Sequence, residues 1–160
     1  MSQKNLREVA TYYEDVWLSR LENGASDGCV HYGLHIDGMS SKPKINTNRL
    51  IENTLVRELP HRLEGEAKQS VLDLGCGVGG TLKHLYDKKK HAWELSGVCS
   101  SPKESRVAQM NLPSFVEVSA IDFHDEFWAD SNLFDLHGVY AVESLCQSWD
   151  RPQVLANVKE

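Results

Sequence analysis

The chain has 160 residues and a net charge of −6, with 41% hydrophobic and 25% charged positions, the make-up of one globular domain with a core of useful size. An acidic balance leaves no electrostatic footprint for nucleic acid or an anionic membrane. No apolar run approaches a membrane span, Met1-Ser2-Gln3-Lys4 lacks a signal-peptide core, and the expected location is the cytosol. Cys29, Cys76, Cys99 and Cys146 are scattered without a CxxC pair, so they read as reduced thiols and not as a zinc or redox motif. His31 and His35 form HxxxH in a glycine-rich stretch with no glutamate after the first histidine, and no metal site is expected.

Residues 4–22 read as a helix, because Val9, Tyr12, Tyr13, Val16 and Trp17 recur at helical spacing. A loop over 23–28 follows, then a short aromatic-bearing stretch over 29–36 and a second loop over 38–46. Thr47 or Asn48 suits an N-cap for a helix over 49–63 with Leu50, Ile51, Leu55 and Leu59 on its apolar face, and Pro60 distorts its end. The expected division is an N-terminal helical cap over 1–65 and a cofactor-type domain over 66–160.

That second unit opens on Val71-Leu72-Asp73-Leu74, a short apolar run of the kind a buried parallel strand shows. It stops in the glycine-rich turn Gly75-Cys76-Gly77-Val78-Gly79-Gly80, and a helix over 81–88 follows. Lys88, Lys89 and Lys90 fall at the end of that helix, where they suit its dipole. Further strands are expected over 93–99, 115–119 and 134–142. Helices are expected over 102–110, behind the cap Ser101 and Pro102 in the first turn, and over 152–160, with Asp150 as cap. Strands alternating with helices make a parallel sheet in an α/β, Rossmann-like fold.

In such a sheet, ligands bind beyond the carboxyl ends of the strands. Glycines let a backbone turn approach a ligand, and the helix behind aims its amides at a carboxylate or phosphate. The turn carries GxGxG, not the GxGxxG of a dinucleotide site, with Asp73 two positions before it. After the second strand come Cys99, Ser100 and Ser101. The ribose carboxylate of a dinucleotide site would fall there, and a cysteine stands in its place, so Ser100, Ser101 and Glu104 are the polar substitutes; Ser101 also reads simply as a cap. After the third strand, Asp122 can accept a hydrogen bond from an adenine amino group and Phe123 can pack on the ring. Asp122 also reads as a loop carboxylate in water. After the fourth come Ala141 to Ser148, where Glu143 faces the reacting centre and can act as a base or steady a developing cation; a helix-N-terminal carboxylate reads equally well.

DxGxGxG over residues 73–79, Asp122-Phe123, and Phe134-Asp135 leading to Val139-Tyr140-Ala141-Val142-Glu143-Ser144-Leu145-Cys146 together resemble class I S-adenosylmethionine-dependent methyltransferases. The closest likeness is to the sterol side-chain, tocopherol and small-molecule group. Leu145 and Gln147 replace a threonine and a histidine of that group. His31-Tyr32-Gly33 is similar to its HYG segment, which implies that Tyr32 lies over the methionine end of the cofactor. Gly97-Val98-Cys99-Ser100-Ser101-Pro102 is similar to its Gly-x-Thr-x-Ser-Pro turn, which also lacks a ribose carboxylate.

The resemblance implies S-adenosyl-L-methionine as cofactor, held by Tyr32, Asp73, Gly75, Cys76, Gly77, Gly79, Cys99, Ser100, Ser101, Asp122, Phe123 and Ala141, with Tyr32 and Glu143 near the transferred methyl group. The acceptor would be a small molecule offering a sterol or prenyl carbon, an amine or a hydroxyl. The family pattern continues past residue 160 with further strands. The chain therefore reads as an incomplete sheet in the order 3-2-1-4, truncated at the C-terminus, with an open edge suited to self-association. A catalytically silent cofactor-binding or interaction module is the alternative.

Overall fold

The computed structural model describes residues 11–12, 15–16, 19, 47–61, 66–124 and 136–159. Residues 11–12, 15–16 and 19 are helical, inside the helix expected over 4–22. Tyr32, the HxxxH pair, Cys29, Phe134 and Asp135 lie outside the described residues.

Among the described residues from 47 on, the elements run α1 (Thr47–Glu58), β1 (Gln69–Leu74), α2 (Gly80–Lys89), β2 (Trp93–Cys99), α3 (Pro102–Asn111), β3 (Glu117–Ala120), β4 (Gly138–Tyr140), a 3-10 turn (Leu145–Gln147) and α4 (Arg151–Lys159). The sheet runs β3-β2-β1-β4, the order the family resemblance implies, and all three pairings are parallel, as the alternation of elements predicts. Asp73 sits opposite Gly97 on one side and Tyr140 on the other, so β1 is the central strand and its end is the switch point of the topology.

The period of two divides the core. Val71, Leu95, Cys99 and Val118 face α1–α3 with Ile51, Leu55, Leu82 and Leu85. Leu72, Leu74 and Val98 face the other way, against Val154 of α4 with Val139 and Leu145. Gln69 to Leu74 are buried apart from half-buried Ser70, so Val71, Leu72 and Leu74 are apolar on both faces of the strand. Polar contacts pin α1 to α2: Thr81 Oγ1 donates to Asn48 Oδ1 at 3.0 Å, and Glu52 meets His84 at 3.0 Å and Lys89 at 3.5 Å.

Several boundaries differ from expectation for local reasons. Thr47 and Asn48 lie inside α1, not before it, and α1 stops at Glu58, ahead of Pro60. Leu50 faces solvent, while Ile51, Leu55 and Leu59 carry the buried stripe. Strand β3 starts at Glu117 because 113–116 closes a turn, with Val116 N donating to Pro113 O at 2.9 Å. Phe115 is thereby left on the surface beside the Tyr86 ring. Two caps fall as predicted: the buried Ser101 Oγ accepts from Lys103 N and Glu104 N, each at 3.2 Å, and Asp150 Oδ1 accepts from Gln153 N at 3.0 Å.

Candidate functional site

The C-terminal ends of the four strands bring three segments together: the turn after β1, the loop after β3, and the stretch between β4 and α4. In the turn, Gly75, Gly77 and Gly79 all have positive φ, at 100°, 53° and 82°. An L-residue with a Cβ pays for that region, so the GxGxG spacing is a backbone requirement. The turn is anchored from below: Gly75 N and Cys76 N both donate to Val98 O, at 2.9 and 3.0 Å. Gly79 opens α2, and a Cβ there would lie 2.9 Å from Leu112 and 3.2 Å from Ala108. Its bareness therefore seats α3 against the turn. A Cβ on Gly75 would overlap the Ser144 side chain, whose hydroxyl donates to Leu74 O, and would lie 3.5 Å from Phe123 Cζ. Gly75 is thus the point at which all three segments meet.

Asp73 is buried on β1, where Tyr140 Oη donates to its Oδ2 at 2.8 Å. Burial pushes its carboxyl up to about 7, and the Tyr140 hydrogen bond only partly opposes this. A nearby cation would favour the charged form of this buried carboxyl, against the effect of burial. The Cys76 and Cys99 side chains turn away from the strand ends into the core. A hydrogen bond that the Cys76 thiol makes to Cys99, then burial, then the charges of Asp73, Cys99 and Glu104 raise the Cys76 thiol well above its ordinary value. That leaves a neutral, unreactive thiol. Ser101 Oγ caps α3 and Cys99 Sγ donates to Ser101 O, so the side chains of Cys76, Cys99 and Ser101 all make contacts within the protein.

Ser100, Asp122 and Phe123 do come together. They line a small pocket, partly open to solvent, with His124, Ser144, Gln147 and Ser148. A ring-stacking side chain beside a carboxylate suits a planar base with an exocyclic donor. Ala141 packs with Leu72 and Leu74 on the α4 face. Glu143, next along the bend, is half-buried with φ 59°, the one non-glycine residue with positive φ among the described residues. Such a conformation is costly for a glutamate and is held where the surroundings enforce it. Here the Cys146 thiol donates to the Glu143 carbonyl at 2.8 Å.

Sequence reasoning singles out neither His124 nor Ser148 nor Tyr140. His124 Nδ1 lies 2.6 Å from Asp122 Oδ1, and its Nε2 lies 2.8 Å from Ser148 Oγ. Position was the available signal, since His124 follows Asp122 by two residues and Ser148 lies in the stretch after β4. Their pairing across 24 residues is not written in either stretch alone. Among the described residues no helix is long and apolar enough to cross a membrane, and no cluster of potential metal ligands occurs.

No protein-family model matches the chain. It is 28% identical over 161 residues to the O-methyltransferase rstn1 of Aspergillus nomiae, covering 98% of this chain and 67% of that protein. It is 30% identical over 152 residues to the methyltransferase GfsG of Streptomyces halstedii, covering 93% and 51%. Among solved structures, the [4+2]-cyclase SpnF matches with a TM-score of 0.64 at 18% identity, over 96% of this chain and 54% of that one. The plantazolicin methyltransferase BpumL, crystallised with a substrate analogue and SAH, matches with a TM-score of 0.59 at 15% identity, over 98% and 56%. At these identities the structural likeness is one of fold. The chain spans about half the length of several curated relatives it matches. Its fold is the one these solved structures share, and in sequence it is similar to named methyltransferases over most of its length.

Proposed function

We propose that this chain is the cofactor-binding part of an S-adenosylmethionine-dependent methyltransferase that acts on a small-molecule hydroxyl. The observation that carries the reading is one juxtaposition: the left-handed glycine turn after β1 and the Asp122–Phe123 cavity share one edge of the sheet. The relatives named as O-methyltransferases favour an oxygen acceptor, and the SAH held by the BpumL fold supports the cofactor. The residues fit that group, with a bare turn for close approach, a buried carboxyl beneath it and an aromatic–carboxylate cavity beside it.

When bound, the cofactor supplies an electrophilic methyl group on a sulfonium. The chain's part is placement and charge. The turn at 75–79 and Asp73 hold the amino-acid end, Ser100 takes a ribose hydroxyl, and Asp122 accepts from the adenine amino group while Phe123 covers the ring. Glu143, just past β4, takes the acceptor's proton on a carboxylate oxygen as the oxygen attacks. Tyr32 closes the methionine end in this reading. A carbon acceptor is the second reading, favoured by the likeness of residues 139–146 to the sterol side-chain group; Glu143 would then steady a developing cation. Pairing of two copies along the side of β4 away from β1, where no strand lies among the described residues, completes the proposal.

The test is transfer of label from methyl-labelled S-adenosylmethionine to a panel of phenols, amines and sterols. Transfer to a phenol, lost in Glu143→Gln while S-adenosylhomocysteine still binds, is the expected result. Binding without transfer to any acceptor would instead support a silent cofactor module. A folded chain that binds nothing would overturn the reading.

A further inference from the structure

The loop after β3 and the segment before α4 are joined by one histidine, and that joint bears on the cavity. Asp122 Oδ1 accepts twice from the same residue, from His124 N at 3.0 Å and from the ring Nδ1 at 2.6 Å. The far ring nitrogen, Nε2, meets Ser148 Oγ at 2.8 Å and faces the Asp150 backbone N–H at 3.4 Å. A backbone N–H can only donate, so Nε2 is the acceptor and the ring proton sits on Nδ1, aimed at the carboxylate. The His124 side chain is 5% exposed against 28% for Asp122. The Trp149 ring stacks on the imidazole at 4.3 Å, 20° from parallel. Asn157 Nδ2 of α4 donates to Phe123 O at 3.1 Å, tying the neighbouring residue to the same helix.

Resting on the methyl-transfer reading above, we propose that His124 is a positioning residue for nucleobase selection. Its Nδ1–H and backbone N–H hold Oδ1 of Asp122, so that Oδ2 is presented to the cavity as a fixed acceptor for an exocyclic amino group. The geometry supports this over mere loop packing. Both donors converge on one carboxylate oxygen, and the tautomer is set from the opposite side of the ring by Ser148 and Asp150. Among the described residues no group donates to Oδ2. The site would therefore select an amino-bearing base over a 6-oxo base, whose oxygen would face the carboxylate.

The experiment compares calorimetric affinities for S-adenosylhomocysteine and S-inosylhomocysteine, which differ in that one group. The wild-type chain is expected to prefer the adenosyl compound by about tenfold or more, the scale of one hydrogen bond to a charged group. His124→Leu and His124→Gln remove the Nδ1 donor and should bring the ratio near unity. His124→Asn keeps a donor at that position and should retain most of the preference. If the leucine variant fails to fold, the Asn and Gln pair decides alone. Equal loss of both ligands with the ratio unchanged would make His124 structural and overturn the inference. So would a wild-type chain that binds both ligands equally, with the methyl-transfer reading left intact. A folded wild-type chain that binds neither would overturn that reading and this inference together.

Discussion

Two halves of the candidate site are built by different means. The β1 half is backbone: three left-handed glycines, two amides clamped on Val98 O, and a helix start that uses no side-chain cap. The half formed by the β3 loop and the 144–150 segment is side chain: Asp122, His124, Ser148 and Trp149 meet across 24 residues or more. The first kind of structure tolerates almost no change in residue type at a few positions and ignores its neighbours elsewhere. The second tolerates conservative exchange but fails as a network. The halves touch at Gly75 and Ser144, and the largest effect is expected there.

Gly75→Val places a β-branched side chain at φ 100° and drives it into Ser144. Unfolding by urea should show a loss of about 3 kcal/mol or more, the range for combined strain and overpacking. A loss within that of an ordinary surface change would mean the two halves are not in contact.

The next effect belongs to Asp73. Its folded carboxyl holds a proton up to about pH 7, against 3.8 in the unfolded chain. The folded state binds that proton more tightly, so stability falls as pH rises between those values and levels off above. Asp73→Asn should flatten this slope and make the unliganded chain more stable at pH 8 by a few kcal/mol, while weakening cofactor binding. Parallel pH–stability curves for the two proteins would contradict the assignment of a raised carboxyl.

The smallest effect is at Ser101, whose role is that of a buried cap. Ser101→Ala should cost about 1 kcal/mol in the denaturation midpoint and leave the affinity for S-adenosylhomocysteine within a factor of about two. A tenfold loss of affinity would return Ser101 to the ribose.

The same division explains what could be read in the sequence. The strands of a parallel sheet, the glycine turn, the two caps and the apolar face on Ile51 and Leu55 follow from local pattern, and local pattern is how those parts are made; the strand order follows from the family resemblance. Asp122 and Phe123 stand out in the sequence because strand ends are where α/β sheets hold ligands, and both line the pocket there. The side-chain commitments of Cys76, Cys99 and Ser101 were hidden because spacing places a residue at a strand end without saying which way it turns. Phe115 misled for a related reason: its aromatic character suits a strand, but Pro113 two residues earlier starts a turn. His124, Ser148 and Tyr140 could not be read because each matters only through a partner distant in the chain.

The central claim is that the two halves together hold S-adenosylmethionine. Calorimetric titration of the purified chain with S-adenosylhomocysteine, beside Asp122→Ala, tests it most directly. Asp122 is partly exposed on a loop, so its removal should leave the fold intact by circular dichroism. Binding by the wild type, weakened about tenfold in the variant, is the result predicted here. No binding by a folded wild-type chain, or equal binding by both proteins, would contradict it.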